Sequence, residues 1–471
     1  MAPPFIGRTR ELEALRTGLD APSPCVAIVL GRRRVGKSRL LAEATRDRPA
    51  VYYQATRVAP SLSLAMFKSE ATQAVGDDPV LDSAGEWLGV LVRLEDLATG
   101  RVPGLTIVID EFPYLCDADP ALPSVFQKFC DRLRTKGSPL NLVLCGSKVS
   151  FMEGLLAEKN PLHNRHTLKL DVEPLLFRDA ACFFQDWSPL EKLRAWGIFG
   201  GMPYYLTLCD PALSLEDNVR RVVLGTGAPL ADEPTNLLQS ELRDVSRYAT
   251  ILSAIAAGCT TSGEIIGRVR EIADARALSP YVQVLEQLRL IRIVRSLDAG
   301  ERSRDRRYQL ADPFLAFWYR FCLPHASALS AGHDRAVWRE AIAPALDHYM
   351  GTLFEWVCRE HVRCFVQEIL PGTADQVGQI WADDYDIDVA GRLLGGEALA
   401  GECKWWRRPV GVNVLERLQR SVGASGYYGE DEEPFYLIFS RAGFSEALER
   451  RREESARLGL VRAEDLVQAP S

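Results

Sequence analysis

Between Gly31 and Ser38 the chain reads GRRRVGKS: a glycine, four free positions, then Gly-Lys-Ser. The apolar run Cys25-Val-Ala-Ile-Val-Leu30 precedes it and the helix-forming run Arg39-Leu-Leu-Ala-Glu-Ala-Thr45 follows, so the local order is strand, loop, helix. A glycine loop in that setting turns backbone N–H groups toward one point, and the helix N-terminus adds partial positive charge there. A polyphosphate is the ligand such a loop fits, cradled by Gly31, Arg32, Arg33, Arg34, Val35, Gly36, Lys37, Ser38 and Arg39. Lys37 is expected to reach the β and γ phosphates, and Ser38 to place its hydroxyl on Mg²⁺. A chance Gly-Lys-Ser turn would lack the flanking strand and helix.

The same sheet is expected to continue through Ala50–Gln54 and Leu105–Ile109, the latter nearly all apolar, as a buried parallel strand should be. That strand runs into Asp110-Glu111. Carboxylates at the end of a parallel strand stand at the ligand edge of an open sheet. Asp110 is expected to hold Mg²⁺ through water, and Glu111 to orient or deprotonate an attacking water. A further strand, Asn141–Cys145, leads into Gly146-Ser147, making Ser147 a polar sensor of the γ-phosphate. Arg165, before a strand at Leu168–Leu170, is read as a second γ-phosphate partner in its own or a neighbouring subunit, or else as an ordinary surface arginine.

At 471 residues the chain has room for about three domains. Its net charge of -7 argues against a nucleic-acid-binding surface over the whole chain and leaves a local basic face open. Eleven cysteines form no CxxC pair, and several lie in apolar runs, as core thiols of a reducing compartment do. The start MAPPFIGRTREL has no apolar signal core, and no stretch approaches the ~18 apolar residues of a membrane span. A cytoplasmic location follows. Cys358, His361 and Cys364 are spaced by threes, which on a helix rotates them too far to share an ion, so they read as a helix flank; His163 and His166 read likewise.

From about Pro174 to Tyr248 the pattern is helical, with a capping box at Ser188-Pro-Leu-Glu191 and a break at Phe199-Gly-Gly-Met-Pro203. A helical lid on the nucleotide domain is the expectation. Taken together, FIGRTREL, GRRRVGKS, IVIDEFPYL, LCGS, PLHNRHT and FGGMPYYL resemble the archaeal-type ATPases, a branch of the AAA-like and STAND P-loop proteins. The resemblance covers roughly the first half of the chain. It implies an α/β core with a five-stranded parallel sheet, ATP with Mg²⁺, and an adenine site near Phe5 to Arg8. Asn164 and His166 stand where the family pattern has glycine and arginine.

Tyr248 to Asp312 reads as three helices, the third starting at Ser279-Pro280, followed by the strands Ile291–Arg295 and Arg307–Leu310, a winged helix-turn-helix pattern. Arg302, Arg304 and Arg306 in the connecting loop could bind DNA phosphates. Asp298, Glu301 and Asp305 are interleaved with them, so a protein-packing spacer is the alternative.

The last part carries two alternating segments, Tyr385–Val389 and Ala398–Trp406. A three-residue loop centred on Gly395 would set Asp388 across from Glu402; a two-residue Gly395-Gly396 turn would put them on opposite faces. In the first register Asp388, Glu402 and Lys404 converge and could bind Mg²⁺ and activate water against a phosphodiester. YDIDVAG, GECKWW and FYLIFSRAGF resemble the restriction-endonuclease-like domain that often follows archaeal-type ATPases, which implies active-site roles for these three residues and an added carboxylate at Glu355. Asp386 stands where that pattern has glutamate. The expected layout is a nucleotide-binding core at 1–173, a helical lid at 174–247, a winged helix at 248–312 and a nuclease-like domain at 313–471. Its expected function is ATP hydrolysis coupled to nucleic-acid binding or cleavage, with a homo-oligomer or a protein partner in view. The alternatives are a nucleotide-dependent switch or scaffold that binds without cutting, and a signalling or chaperone-like NTPase that never meets nucleic acid.

Overall fold

Strands β1 (Val26–Leu30), β2 (Ala50–Gln54), β3 (Thr106–Asp110), β4 (Asn141–Gly146) and β5 (Leu168–Asp171) form one all-parallel sheet in the order β2-β3-β4-β1-β5. β1, β3 and β4 are buried along their whole length, as aliphatic strands covered on both faces must be. Tyr53, Phe67, Trp87, Phe112 and Phe126 join in one aromatic cluster on this core, with Phe67 stacked on Trp87 at 4.9 Å between ring centroids. The strand order has a functional consequence. β4 lies between β1 and β3, so Gly146-Ser147 ends between the loop that follows β1 and the Asp110-Glu111 pair that ends β3.

The computed structural model describes residues 5–242, 244–299, 306–429 and 432–467. Arg302, Arg304, Glu301 and Asp305 of the expected wing loop lie outside the described residues. The chain divides into two compact units, one running to Leu175 and taking in Met202–Tyr204, the other comprising Leu176–Gly201 and everything from Tyr205 onward. Residues 176–201 and 205–247, expected as a lid on the nucleotide domain, therefore belong to the second unit. The reason is their apolar face: Trp196 meets Phe177 and Trp356 edge-on at 6.1 and 5.3 Å, and Tyr349 Oη donates to Gly197 O and Pro313 O. The helix Pro189–Phe199 opens with the expected capping box, Ser188 accepting from Glu191 N and Glu191 from Ser188 N.

In the second unit the helices Val245–Ala256, Ser262–Arg268 and Ala275–Gln287 precede an antiparallel ribbon of β6 (Ile291–Val294) and β7 (Arg307–Leu310). The third helix starts before Ser279-Pro280, because Asp274 accepts from Ala277 N and caps it there, leaving Pro280 inside. β8 (Ala374–Trp381), β9 (Asp386–Leu393), β10 (Ala398–Lys404), β11 (Phe435–Ser440) and β12 (Leu458–Arg462) form a mixed sheet in the order β12-β11-β10-β9-β8. Both faces are covered. Ala398 and Ala400 pack with Val414 and Leu418 of the helix Val412–Ala424, while Cys403 and Trp405 meet Cys358 and Phe354 of the helix Ala343–Phe365. The open edge at β8 is taken up by the chain leaving β6: Leu297 N donates to Gln379 O, Trp381 N to Ser296 Oγ, and Tyr385 Oη to Asp298 Oδ2. Among the described residues no helix is long and apolar enough to cross a membrane.

Candidate functional site

The loop after β1 is shaped by two glycines. Gly31 has φ +155°, and a Cβ there would lie 2.3 Å from the Val172 carbonyl oxygen, so only glycine lets the chain leave the strand at this angle. Gly36 has φ +96°, a left-handed turn that delivers Lys37 as the first residue of the helix Lys37–Ala44. Lys37 is 5% exposed, and its Nζ donates to Gly31 O at 2.8 Å and Arg32 O at 3.1 Å, which folds the ammonium into the concave side of the loop. Arg32 is buried, Arg33 and Arg39 are exposed, and the Arg34 guanidinium lies 4.6 Å over the Tyr204 ring. Pro203 is equally close, its ring 3.5 Å from where a Cβ on Gly36 would sit. The returning segment Met202–Tyr204 thus walls the loop. From the other side Arg8, in a left-handed conformation, donates to Val35 O at 2.8 Å and pairs with Glu11 at 2.9 Å. Phe5 is half-buried at the start of the same segment.

The two carboxylates after β3 are each held by the neighbouring motifs. Asp110 Oδ2 accepts from Ser38 Oγ at 2.6 Å and from Tyr52 Oη at 2.8 Å, and Oδ1 accepts from Glu111 N at 3.0 Å. Burial, with the Asp110 charge beside it, pushes the Tyr52 phenol well above the ordinary tyrosine range, so it is a neutral donor. Glu111, at φ 58°, turns back toward β4, and its Oε2 accepts from Ser147 N at 3.1 Å and Ser147 Oγ at 2.8 Å. Gly31–Ser38, Asp110, Glu111 and Ser147 therefore share one edge of the sheet. Ser38 and Asp110 offer hard oxygen donors at one point, a set that suits Mg²⁺, which takes one or two protein ligands and completes its shell with phosphates and water. Arg165 is not brought to this edge: its guanidinium pairs with Asp131 at 3.2 Å and donates to His163 O at 2.9 Å. The pair is part-exposed, because Thr167 and β5 anchor the chain beside Arg165 to the far side of β1.

The C-terminal site is built on adjacent strands. β9 and β10 pair Ala390 with Ala400 and Val389 with Gly401, a register that continued by one residue sets Asp388 opposite Glu402, and the loop between them is Leu394–Gly396. Asp388 Oδ2 accepts from Cys403 N at 2.8 Å. Lys404 Nζ bonds Glu402 Oε1 and stands 4.0 Å from Asp388 Oδ2. Burial, reinforced by the Glu355 and Glu402 carboxylates, raises the Asp388 carboxyl well above its ordinary range against the pull of Lys404. Burial also raises Glu355, which lies 3.7 Å from Arg359; Arg359 in turn donates to Asp388 O at 2.6 Å. Burial opposes the charge on Lys404, but Glu402 and Asp388 outweigh it and hold the ammonium protonated. Among the described residues no three His, Cys, Asp or Glu side chains converge as a metal-binding group. A metal here would rest on Asp388 and Glu402 alone and would have to displace the Lys404 ammonium from between them.

Residues 5–209 match a family described as an ATPase domain predominantly from Archaea, and residues 318–415 match one described as archaea bacterial proteins of unknown function. Over 406 residues the chain is 30% identical to the uncharacterized protein MJECL04 of Methanocaldococcus jannaschii, spanning 85% of this chain and 87% of that one. The chain belongs to one family with that relative and carries an archaeal-type ATPase domain. A solved relative in fold is a Walker-type ATPase of Pyrococcus abyssi, with a TM-score of 0.52 and 20% identity over 67% of this chain and 96% of that one. As an archaeal-type ATPase the chain is a P-loop protein that binds ATP, and its five-stranded parallel sheet is that of its fold neighbours.

Two parts of the ATPase site escaped the sequence. Tyr52 sits in Ala50–Gln54 among residues chosen for burial, and nothing local says that β2 lies beside β3. Met202–Tyr204 reads as a helix break within the FGGMPYYL run, and nothing local says that it returns to the β1 loop.

Proposed function

We propose that this archaeal-type ATPase hydrolyses ATP at the β1 loop and uses the cycle to control a nucleic-acid-cleaving site in its C-terminal sheet. Lys37 would leave the loop carbonyls for the β and γ phosphates. Ser38 and Asp110 would hold Mg²⁺, which when bound neutralises charge on those phosphates. Glu111 would orient and deprotonate the attacking water, and a γ-phosphate competing for the Ser147 hydroxyl would free the Glu111 carboxylate to do so. Phe5 and Arg8 would line the adenine side, Arg8 through its bond to the loop carbonyl. Arg165 would reach a γ-phosphate only by giving up Asp131, in its own or a neighbouring subunit. The observation that carries the ATPase half is the 2.6 Å bond between Ser38 and Asp110, two motifs separated by the whole of β2 and its helices. Lys37→Ala and Glu111→Gln are expected to abolish ATP turnover; parental turnover in both would end this assignment.

For the C-terminal sheet, the cross-strand position of Asp388 and Glu402 with Lys404 between them supports phosphodiester cleavage. Asp388 and Glu402 would carry Mg²⁺, Glu355 would add negative charge behind them, and Lys404 would stabilise charge developing on the phosphate. The helices and ribbon at Val245–Leu310 support a winged helix, with Arg295 and Arg306 lining a groove of about 660 Å³ beside Ser279 and Gln283 as a DNA contact. One observation favours a second reading, a nucleotide-dependent switch that binds without cutting. The Lys404 ammonium bonds Glu402 and stands 4.0 Å from Asp388, where a metal would have to sit, and such a domain would keep its activity in Lys404→Ala and Asp388→Ala.

A further inference from the structure

The strand that carries Glu402 and Lys404 runs straight into Trp405-Trp406-Arg407-Arg408. The two tryptophans part ways. Trp405 is buried against Phe354, with ring centroids 5.2 Å apart, whereas Trp406 is 36% exposed and is the most exposed tryptophan among the described residues. Two cations lie over that part-exposed ring. Lys404 Nζ lies 5.7 Å from its centroid and the Arg408 guanidinium 5.2 Å. Next to it, Asp347 is shared by Arg194, Arg407 and Arg441 at 3.0, 2.7 and 3.0 Å, so three guanidiniums meet one carboxylate and the cluster keeps an excess of positive charge. Burial works against ionisation of Asp347, but the three arginines hold its carboxyl well below the usual range. Arg407 is 81% exposed despite this pair. Between Lys404 and Gly429 five basic residues accompany a single acid, Glu416, in a chain whose net charge is -7.

A local basic excess on an acidic protein marks a site for a polyanion, and an exposed indole set among cations marks one whose units have flat faces. In a duplex the base faces are covered by their neighbours, so an indole face at the surface can stack only on an unpaired base. We infer that Trp406, Arg407 and Arg408 form the docking lip of the carboxylate site and that its substrate class is single-stranded nucleic acid, with a base stacked on Trp406 and flanking phosphates on Arg407 and Arg408. The scissile phosphodiester then falls at Lys404, one residue-pair inward along the same strand. The inference rests on the phosphodiester reading of that site, but its test is one of binding.

The experiment uses the full chain in EDTA and follows the fluorescence anisotropy of labelled 20-nucleotide oligo(dT) and oligo(U) and of a blunt duplex of equal length, at several salt concentrations. The parent is expected to prefer a single strand to the duplex, and the two oligomers tell DNA from RNA. Trp406→Ala should weaken single-strand binding by about tenfold or more, with Trp406→Phe restoring most of it. The double variant Arg407→Ala, Arg408→Ala should weaken binding and lower the salt slope by about 1 to 2. Parental affinity and slope in all three, with melting temperatures unchanged, would overturn the docking lip, as would a preference for the duplex. If Glu402→Ala then abolishes metal-dependent cutting while the lip variants bind like the parent, the nuclease stands and the lip falls. Weakened binding in the lip variants of a parent that never cuts keeps the lip and removes the nuclease.

Discussion

Tyr52→Phe removes one hydroxyl from the nucleotide site and leaves the ring that packs there. The phenol donates at 2.8 Å to the Asp110 oxygen that Ser38 also occupies, and it stays neutral because burial and the Asp110 charge oppose its ionisation. A hydrogen bond from a neutral donor to a carboxylate contributes about 1.5–3 kcal/mol. Once Ser38 turns to a nucleotide-bound metal, Tyr52 is the side-chain donor left to aim Asp110. Loss of an outer partner of that kind costs roughly 10–100-fold in metal affinity. Phosphate release and binding of a fluorescent ATP analogue, each titrated with Mg²⁺, would measure it. The midpoint in Mg²⁺ is expected to rise by about 10–100-fold in both assays, with nucleotide affinity in EDTA and turnover at saturating Mg²⁺ little changed. A parental Mg²⁺ midpoint with a depressed turnover number would instead make Tyr52 a part of the chemistry and not of the metal's support.

Gly31→Ala puts a Cβ 2.3 Å from the Val172 carbonyl oxygen, a backbone atom that cannot step aside, so it should lower the melting temperature and abolish ATP binding; a folded variant that binds ATP normally would mean that the loop is not held as described. Glu360 accepts from Phe177 N, and burial raises its carboxyl to about 7, opposed by that bond and by Arg363 and Arg292 and aided by Asp179. Its folded-state value lies above the unfolded one, so its stabilising share is complete in mild acid, below the unfolded value, and is lost as pH rises through 7. Glu360→Gln keeps the acceptor and removes the titration, and should stabilise the protein at pH 8 relative to pH 5 by on the order of 3 kcal/mol. Denaturant melts that show the same change in unfolding free energy between the two pH values for parent and variant would contradict this.

The two sites differ in how far they could be read from the chain. GRRRVGKS and Ile107-Val-Ile-Asp-Glu111 are contiguous, so their spacing alone carries the geometry of loop, helix start and strand end. The β9–β10 register was legible only as two alternatives, a three-residue or a two-residue turn. The number of residues between Leu393 and Glu397 decides which faces meet, and three residues put Asp388 and Glu402 together. What stayed hidden depends on pairings between distant segments. Tyr52 reaches Asp110 only because β2 lies beside β3, and Arg165 turned to Asp131, a surface partner its own neighbourhood does not disclose. Ser279-Pro280 looks like a helix start, yet Asp274 is the better cap and the helix tolerates the proline. The grouping of residues 176–201 with the later part of the chain was hidden for the same kind of reason: a helical segment joins whichever apolar surface it covers, and Trp196 packs on Phe177 and Trp356.

The most direct test of the link between ATP and the C-terminal sheet is cleavage of plasmid, linear and single-stranded DNA, and of RNA, by the full chain with Mg²⁺ or Mn²⁺, with and without ATP, beside Glu402→Ala. If ATP controls this site, cutting depends on the metal, changes with ATP and disappears in Glu402→Ala. An intact ATPase that cuts none of these substrates under any condition would contradict it and leave a nucleotide switch whose C-terminal sheet only binds.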